Sequence, residues 1–187
     1  MKPLRNLSLA TRILRLSGTV IVAFLLAAVW LFFEFRSSLY RARKVEIRNL
    51  VEASWHILEE QALLATSGII SEENAKRDAL RLIGGQRFDQ GNYFWIHDFN
   101  FRMVMHPLQP DLEGSNFSDY LDAGGKPLFR EMNKIIHDQG AGYVEYLWVK
   151  PESRLPLKKI SYVKEFPQWG WVIGTGFYLE DIDHLLV

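Results

Sequence analysis

Two hydrophobic rhythms and one uninterrupted apolar run divide this chain. The run comes first: residues 16–33, LSGTVIVAFLLAAVWLFF, contain no charge. Extended back to Ile13 across Arg15 alone, it is long enough to span a bilayer as a helix, which takes about 20 residues. Arg15 can carry its guanidinium back to the interface on its apolar stem. A cleaved signal peptide would have a shorter apolar region, of roughly 7–15 residues, followed by a small-residue cleavage site. Trp30-Leu-Phe-Phe-Glu-Phe-Arg follows instead, so residues 16–35 are expected to be an uncleaved membrane helix. A basic tail, 1–15, precedes it with Lys2, Arg5, Arg12 and Arg15. Arg36, Arg41, Arg43, Lys44 and Arg48 follow it. The positive-inside rule counts Lys and Arg, so these two flanks leave the orientation open.

A helical rhythm occupies 37–85. Ile47, Val51, Trp55, Leu58, Ala62 and Ala65 recur at the spacing of one helical stripe, uninterrupted by Gly or Pro. The first arm, 37–67, is expected to continue the membrane helix, with Arg36-Ser-Ser as the one place for a joint. Gly68 offers a stop. Ser71 offers an N-cap for a second arm over 72–83, with Glu72 and Glu73 in its first turn, and Gly84-Gly85 ends it. The prediction is a helical hairpin whose longer arm lies across a face of the following sheet.

From 86 to 180 the rhythm changes to two. Five aromatic and β-branched runs, beginning at Asn92, Arg102, Gly142, Lys158 and Trp171, are separated by turn residues and predict one antiparallel sheet. Asp98-Phe-Asn-Phe is the first hairpin turn, and Pro107 ends the second strand, since proline cannot donate to a ladder. The long connection 108–125 has the length of a binding loop or lid. Residues 127–137 predict a short helix with Leu128, Phe129, Met132, Ile135 and Ile136 on one face and Pro127 in its first turn. Pro151-Glu-Ser-Arg-Leu-Pro and Pro167-Gln-Trp-Gly read as turns, and 181–187 as the start of an exit helix. The fold class is α+β: a five-stranded antiparallel sheet with a long N-terminal helix, preceded by one transmembrane helix.

The 187 residues balance to zero net charge and include no cysteine. Neutrality gives no support to nucleic-acid binding, which calls for a basic footprint. The missing cysteines exclude disulfides, thiolate metal sites and a cysteine nucleophile. His56, His97, His106, His137 and His184 are scattered without metal-ligand spacing. No Gly-x-Ser-x-Gly elbow occurs, and the glycines of Gly174-Thr-Gly176 lie inside a strand, where close backbone packing accounts for them better than a phosphate loop does. No enzyme, cofactor or metal is expected.

Five motifs, in this order and spacing, resemble the single Cache (Cache type 2) family of extracytoplasmic sensor domains: YFWI at 93–96, MVMHP at 103–107, GYVEYLWVKP at 142–151, KISYVK at 159–164 and WGWVIGTGFYLEDID at 169–183. The resemblance implies a PAS-like sheet packed on a long helix. It implies a sensor of methyl-accepting chemotaxis receptors or sensor histidine kinases, placed outside the inner membrane with a cytoplasmic N-terminus. It further implies a small organic acid ligand, such as acetate, propionate, lactate or pyruvate, and a homodimer formed through the long helix. Such a receptor normally continues into a second membrane helix and an output domain, so the chain reads as a piece of a larger receptor or as a stand-alone anchored sensor.

A carboxylate in an apolar pocket needs a few placed donors. The family-like motifs supply Tyr93 and Trp95 on one face of the first strand, His106 at the end of the second, Tyr146 and Trp148 on one face of the third, and Lys159 and Tyr162 in the fourth. Lys159 is the expected carboxylate partner; otherwise it is an exposed edge lysine. Two-residue alternation places Lys159 and Tyr162 on opposite faces unless a bulge intervenes. Arg102 shares the face of His106, and Asp98 and Asp111 would suit an amine if they were not turn residues. The rival to a sensor is a protein-interaction module whose pocket is filled by its own side chains.

Overall fold

The computed structural model describes residues 9–89, 91–150 and 155–183. The chain divides into two compact units, Met1–Arg41 and Ala42–Val187. The first helix, α1, is Leu9–Thr66. In the first unit its apolar residues, Phe24, Leu26, Trp30 and Phe33 among them, are exposed. It is long and apolar enough to cross a membrane. It runs unbroken through Arg36-Ser-Ser, where Arg41 donates to Ser37 at 2.7 Å and to Glu34 at 3.1 Å.

In the second unit, α1 buries Ile47, Val51, Ser54, Leu58 and Ala62. The stripe is the expected one, except that Ser54 lies at its centre, donating to Gln86 Oε1 at 2.9 Å, and Trp55 lies on its flank. Helix α2, Glu72–Gly84, starts at Ser71, whose hydroxyl accepts from the Asn74 amide. It ends one residue later than expected, because the Gly85 amide still bonds back to Arg81 O and Ile83 O.

The sheet contains β1 (Phe94–Asp98), β2 (Met103–Met105), β3 (Ala141–Val149), β4 (Pro156–Phe166) and β5 (Trp171–Tyr178). Their order is β2-β1-β5-β4-β3, all pairings antiparallel. This is the PAS-like five-stranded sheet expected from the sequence. The central strand β5 is buried along its whole length, as a strand covered on both faces must be. The second strand is shorter than expected because side chains take its end groups: Asp98 Oδ1 accepts from Arg102 N, and Glu113 Oε1 accepts from His106 N. Helix α3, Leu128–Gln139, begins one residue after Pro127, which precedes the first turn without a side-chain capping bond, and is closed by Gly140 in the left-handed conformation. Helix α4, Leu179–Asp183, starts the exit slightly earlier than expected. The turn at 151–154 and residues 184–187 lie outside the described residues.

Strand alternation separates two faces. On one, α1 is fixed by Tyr143 OH donating to Lys44 O at 2.8 Å, by Trp55 Nε1 donating to Glu165 O at 2.8 Å, and by the Lys164–Glu52 ion pair. The other face is covered by α3 and the 108–125 connection. Trp95, Met103, Leu128, Phe129, Met132, Val144, Tyr146 and Trp148 form the heart of its apolar cluster. The connection is well packed: Phe117 stacks on Phe129 at 4.8 Å, and Tyr120 stacks on Trp148 at 5.7 Å.

Asp122 anchors that connection. Its carboxylate accepts from Gly124 N, Lys126 N and Leu147 N, each at 2.8 Å. Burial alone would raise its pKa, but the three amides outweigh burial and hold it below the ordinary value. Replacing it strands those amides, so Asp122→Ala should cost about 2 kcal/mol of stability in urea unfolding, with the β3 end of the connection losing amide protection first.

Candidate ligand pocket

The pocket is built where alternate residues of β1, β3 and β4 face α3. Tyr93 and Trp95 reach it from β1 and the residue before it. Met103 reaches it from β2, His106 from just beyond that strand, Tyr146 and Trp148 from β3, and Lys159 from β4. Leu128, Phe129 and Met132 close it from α3. They enclose a cavity of about 10 Å³, room for about one water molecule.

Six of the seven residues expected from the sequence, Tyr93, Trp95, His106, Tyr146, Trp148 and Lys159, line this one cavity. Tyr162 does not. It lies on the opposite face, stacked on Tyr143 at 4.9 Å and within the electrostatic reach of Glu52 and Arg48 of α1. The pairing of β4 with β3 runs without a bulge from Pro156 to Lys164, so alternation separates Tyr162 from Lys159 as a regular strand requires. Arg102 is exposed and donates to Gly114 O, Asp98 accepts turn amides from Asn100 and Arg102, and Asp111 lies exposed in a short 3-10 turn.

Lys159 is not an edge lysine. β4 lies between β3 and β5, and the residue is 1% exposed. Its Nζ donates to Tyr93 OH at 3.3 Å and lies 4.3 Å from the Tyr93 ring centroid, 5.0 Å from Tyr178 and 5.6 Å from Trp95. Lys76, Lys126, Lys134, Lys150 and Lys164 each pair with a carboxylate. Lys159 has aromatic faces instead of a carboxylate. Burial lowers its pKa to about 7, opposed by the charge of Asp181.

The other polar groups are neutral. His106 has its ring 4.8 Å from Tyr93, and its Nδ1 accepts from Gln109 N at 3.0 Å. That bond leaves the ring proton on Nε2. Burial, and then the charge of Lys159, lower its pKa to about 4. Tyr146 OH is 2.9 Å from Ser161 Oγ, and burial raises its pKa so that it remains a phenol. The cavity therefore presents one group able to carry positive charge near neutral pH, Lys159, among aromatic rings and hydroxyl groups.

Other participants were not singled out from the sequence. His97 is fully buried, accepts at Nδ1 from Trp95 Nε1 at 3.3 Å and contacts Asn133 Oδ1 through Nε2 at 3.0 Å. Its signal was present, since His97 shares the alternating face of Tyr93 and Trp95. Gly174 lies under Trp95: a Cβ there would come within 2.5 Å of the indole Cζ2. Past the pocket, Tyr178 N donates to Asp181 Oδ2 at 3.2 Å, and Lys150 pairs with Asp181 Oδ1 at 2.8 Å. No cluster of three metal-ligating side chains occurs among the described residues.

The family model of single Cache domain 2 matches residues 39–186. The methyl-accepting chemotaxis protein McpP of Pseudomonas putida (strain KT2440) is 32% identical over 182 residues, which cover 97% of this chain and 34% of that protein. The chain spans about a third of the length of the curated relatives it matches. Among solved structures, the periplasmic sensor domain of a chemotaxis protein is 43% identical with a TM-score of 0.73, covering 74% of this chain and 96% of that one. A Cache chemosensory domain, solved to give the structural basis of its carboxylic acid recognition, is 40% identical with a TM-score of 0.72, covering 76% and 97%. Motif order, sheet topology and these likenesses agree: the chain belongs to the single Cache domain 2 family.

Proposed function

We propose that this chain is the sensor portion of a membrane-bound signalling receptor and that its cavity binds a small organic acid through Lys159. The observation that carries the reading is a buried ammonium walled by Tyr93, Trp95 and Tyr178, with no carboxylate partner among the described residues. A ligand carboxylate supplies the missing charge. Tyr93 and Tyr146 supply hydroxyl donors, and the low local dielectric strengthens each of these bonds. The carboxylic acid recognition of the similar Cache domain supports the same chemistry. An acid larger than water requires the lining to yield, and Met103 and Met132 are its adaptable members. The apolar α1 segment supports a membrane anchor, and the likeness to a periplasmic chemotaxis sensor domain supports a sheet domain outside the inner membrane. The family likeness favours a binding role over a catalytic one. Between 42 and 66, α1 exposes Val45 and Leu63 as its large apolar residues, two contact points for the homodimer.

The small cavity favours a second reading, in which its own side chains fill the space permanently and the domain meets a protein partner. Isothermal titration of the full chain in nanodiscs separates the two. The panel contains acetate, propionate, lactate and pyruvate beside dicarboxylates and amino acids. Saturable binding of the monocarboxylates upholds the sensor reading; no binding of any acid gives the second.

Lys159→Met should abolish acid binding while leaving the melting temperature equal or higher, because the substitution removes a buried charge without creating an unpaired one. Loss of binding together with loss of folding would not fit this assignment.

Binding should also report the charge of Lys159. With a folded pKa of about 7, the ammonium is present below that value and lost above it, so affinity for a carboxylate should fall roughly a hundredfold between pH 6 and pH 9. Stability should move the other way. The lysine is held neutral more readily in the folded chain than in the unfolded one, so its contribution rises with pH from about 7 to the ordinary lysine value. Affinity that is flat across this range would remove Lys159 from the anion site.

A further inference from the structure

We propose that His97 and Asn133 form a clasp between the sheet and α3 that fixes how far the cavity opens, and thereby which acid lengths it accepts. The inference rests on the reading that the cavity takes an organic acid. The cavity has a sheet side and a helix side. Trp95 belongs to the first, and Leu128, Phe129 and Met132 belong to the second. With about 10 Å³ enclosed between them, nearly all the room for a ligand comes from the separation of α3 from β1. What limits that separation therefore limits the ligand.

The clasp is a chain of hydrogen bonds with a single consistent direction. Trp95 Nε1 donates to His97 Nδ1, so the imidazole proton is on Nε2 and is donated to Asn133 Oδ1 at 3.0 Å. Asn133 Nδ2 then donates to Phe99 O at 3.0 Å, in the β1–β2 turn. Among the described residues, the other α3 side-chain bonds run to the 108–126 segment or along the helix itself, as with Arg130 to Ser118 O and Lys134 to Asp138. Asn133 is thus the side chain through which α3 hydrogen-bonds to β1 and its turn.

His97 touches both walls. It accepts the indole proton of Trp95, and the Phe129 ring stands edge-on to it at 5.1 Å. Trp95 is backed by the sheet, since its ring packs closely over the backbone at Gly174. Met132 is next to Asn133 in α3, and Phe129 is one turn before it. Burial lowers the His97 pKa to about 4, which keeps Nδ1 an acceptor at neutral pH. His97 and Asn133 are positioning residues: neither lines the cavity, and both hold groups that do.

The test uses the full chain in nanodiscs and the acids acetate, propionate, butyrate and valerate, measured with wild type, Asn133→Ala and His97→Gln. Asn133 is partly exposed, so its truncation is expected to fold. Asn133→Ala should reduce the preference for propionate over valerate by about tenfold, the scale of methylene discrimination in an apolar pocket, while affinity for acetate changes much less. His97→Gln retains an acceptor for Trp95 and a donor for Asn133, and should preserve the preference. An unchanged preference in Asn133→Ala, or an equal loss of affinity for all four acids, overturns the proposal. If wild type binds none of the acids, the proposed function falls, and the clasp is decided by amide hydrogen exchange without ligand. Faster exchange across 129–136 in Asn133→Ala, with β5 unchanged, upholds the restraint on α3; unchanged exchange there overturns it.

Discussion

An ammonium enclosed by aromatic rings is costly to charge, and the sheet around Lys159 is shaped by that cost. Desolvation penalises the ion by far more than one weak hydrogen bond returns. The Tyr93 hydroxyl and the three ring faces recover part of the loss. Asp181 contributes from farther away, through the field rather than by contact. The result is a lysine balanced between its two protonation states, which a nearby anion would tip decisively toward the charged one. His106 and Tyr146, buried beside it, are driven to their neutral forms, so charge in the cavity is concentrated at a single atom.

The rest of the domain makes that position possible. A strand that points alternate side chains to opposite faces can assign its two sides to different tasks. On β4 the series Lys159, Ser161, Val163 lies on the cavity side of the sheet, with Lys159 lining the cavity, and Ile160, Tyr162, Lys164 lies on the opposite side. The second series meets the long helix through Lys164, which pairs with Glu52 and lies over the Trp55 ring. The first contributes Lys159 to the cavity lining. Both are borne on the same backbone and paired in one register with β5, so a shift that moves one series moves the other.

Much of this was legible beforehand, because it follows from local period. The helical stripe of α1, the Ser71 cap, the five strands and the opposite facing of Lys159 and Tyr162 all arise from interactions within a few residues. Tyr162 entered the expected site with its motif, although the alternation already spoke against it. What could not be read was what depends on two distant segments meeting. His97 carried the parity of a pocket-facing residue, but nothing in the sequence shows that Asn133, 36 positions away, would meet it. Leu128, Phe129 and Met132 were visible as an apolar helix face, without any sign that the face would close a cavity. The burial of Lys159 depended on strand order, and strand order is a property of the whole sheet.

Gly174 shows how far such dependence extends. The space above it is occupied by the indole of Trp95, which fits only because position 174 has no side chain. Gly176, on the same side of β5, is similarly closed by Ser161 and the Ile160 carbonyl. Positions 95 and 174 thus share one volume. Across descendants of this domain they should vary as a pair, with a smaller residue at 95 wherever 174 acquires a Cβ. Two changes that are each harmful alone then become a single permitted step, and the floor of the cavity is inherited as a unit.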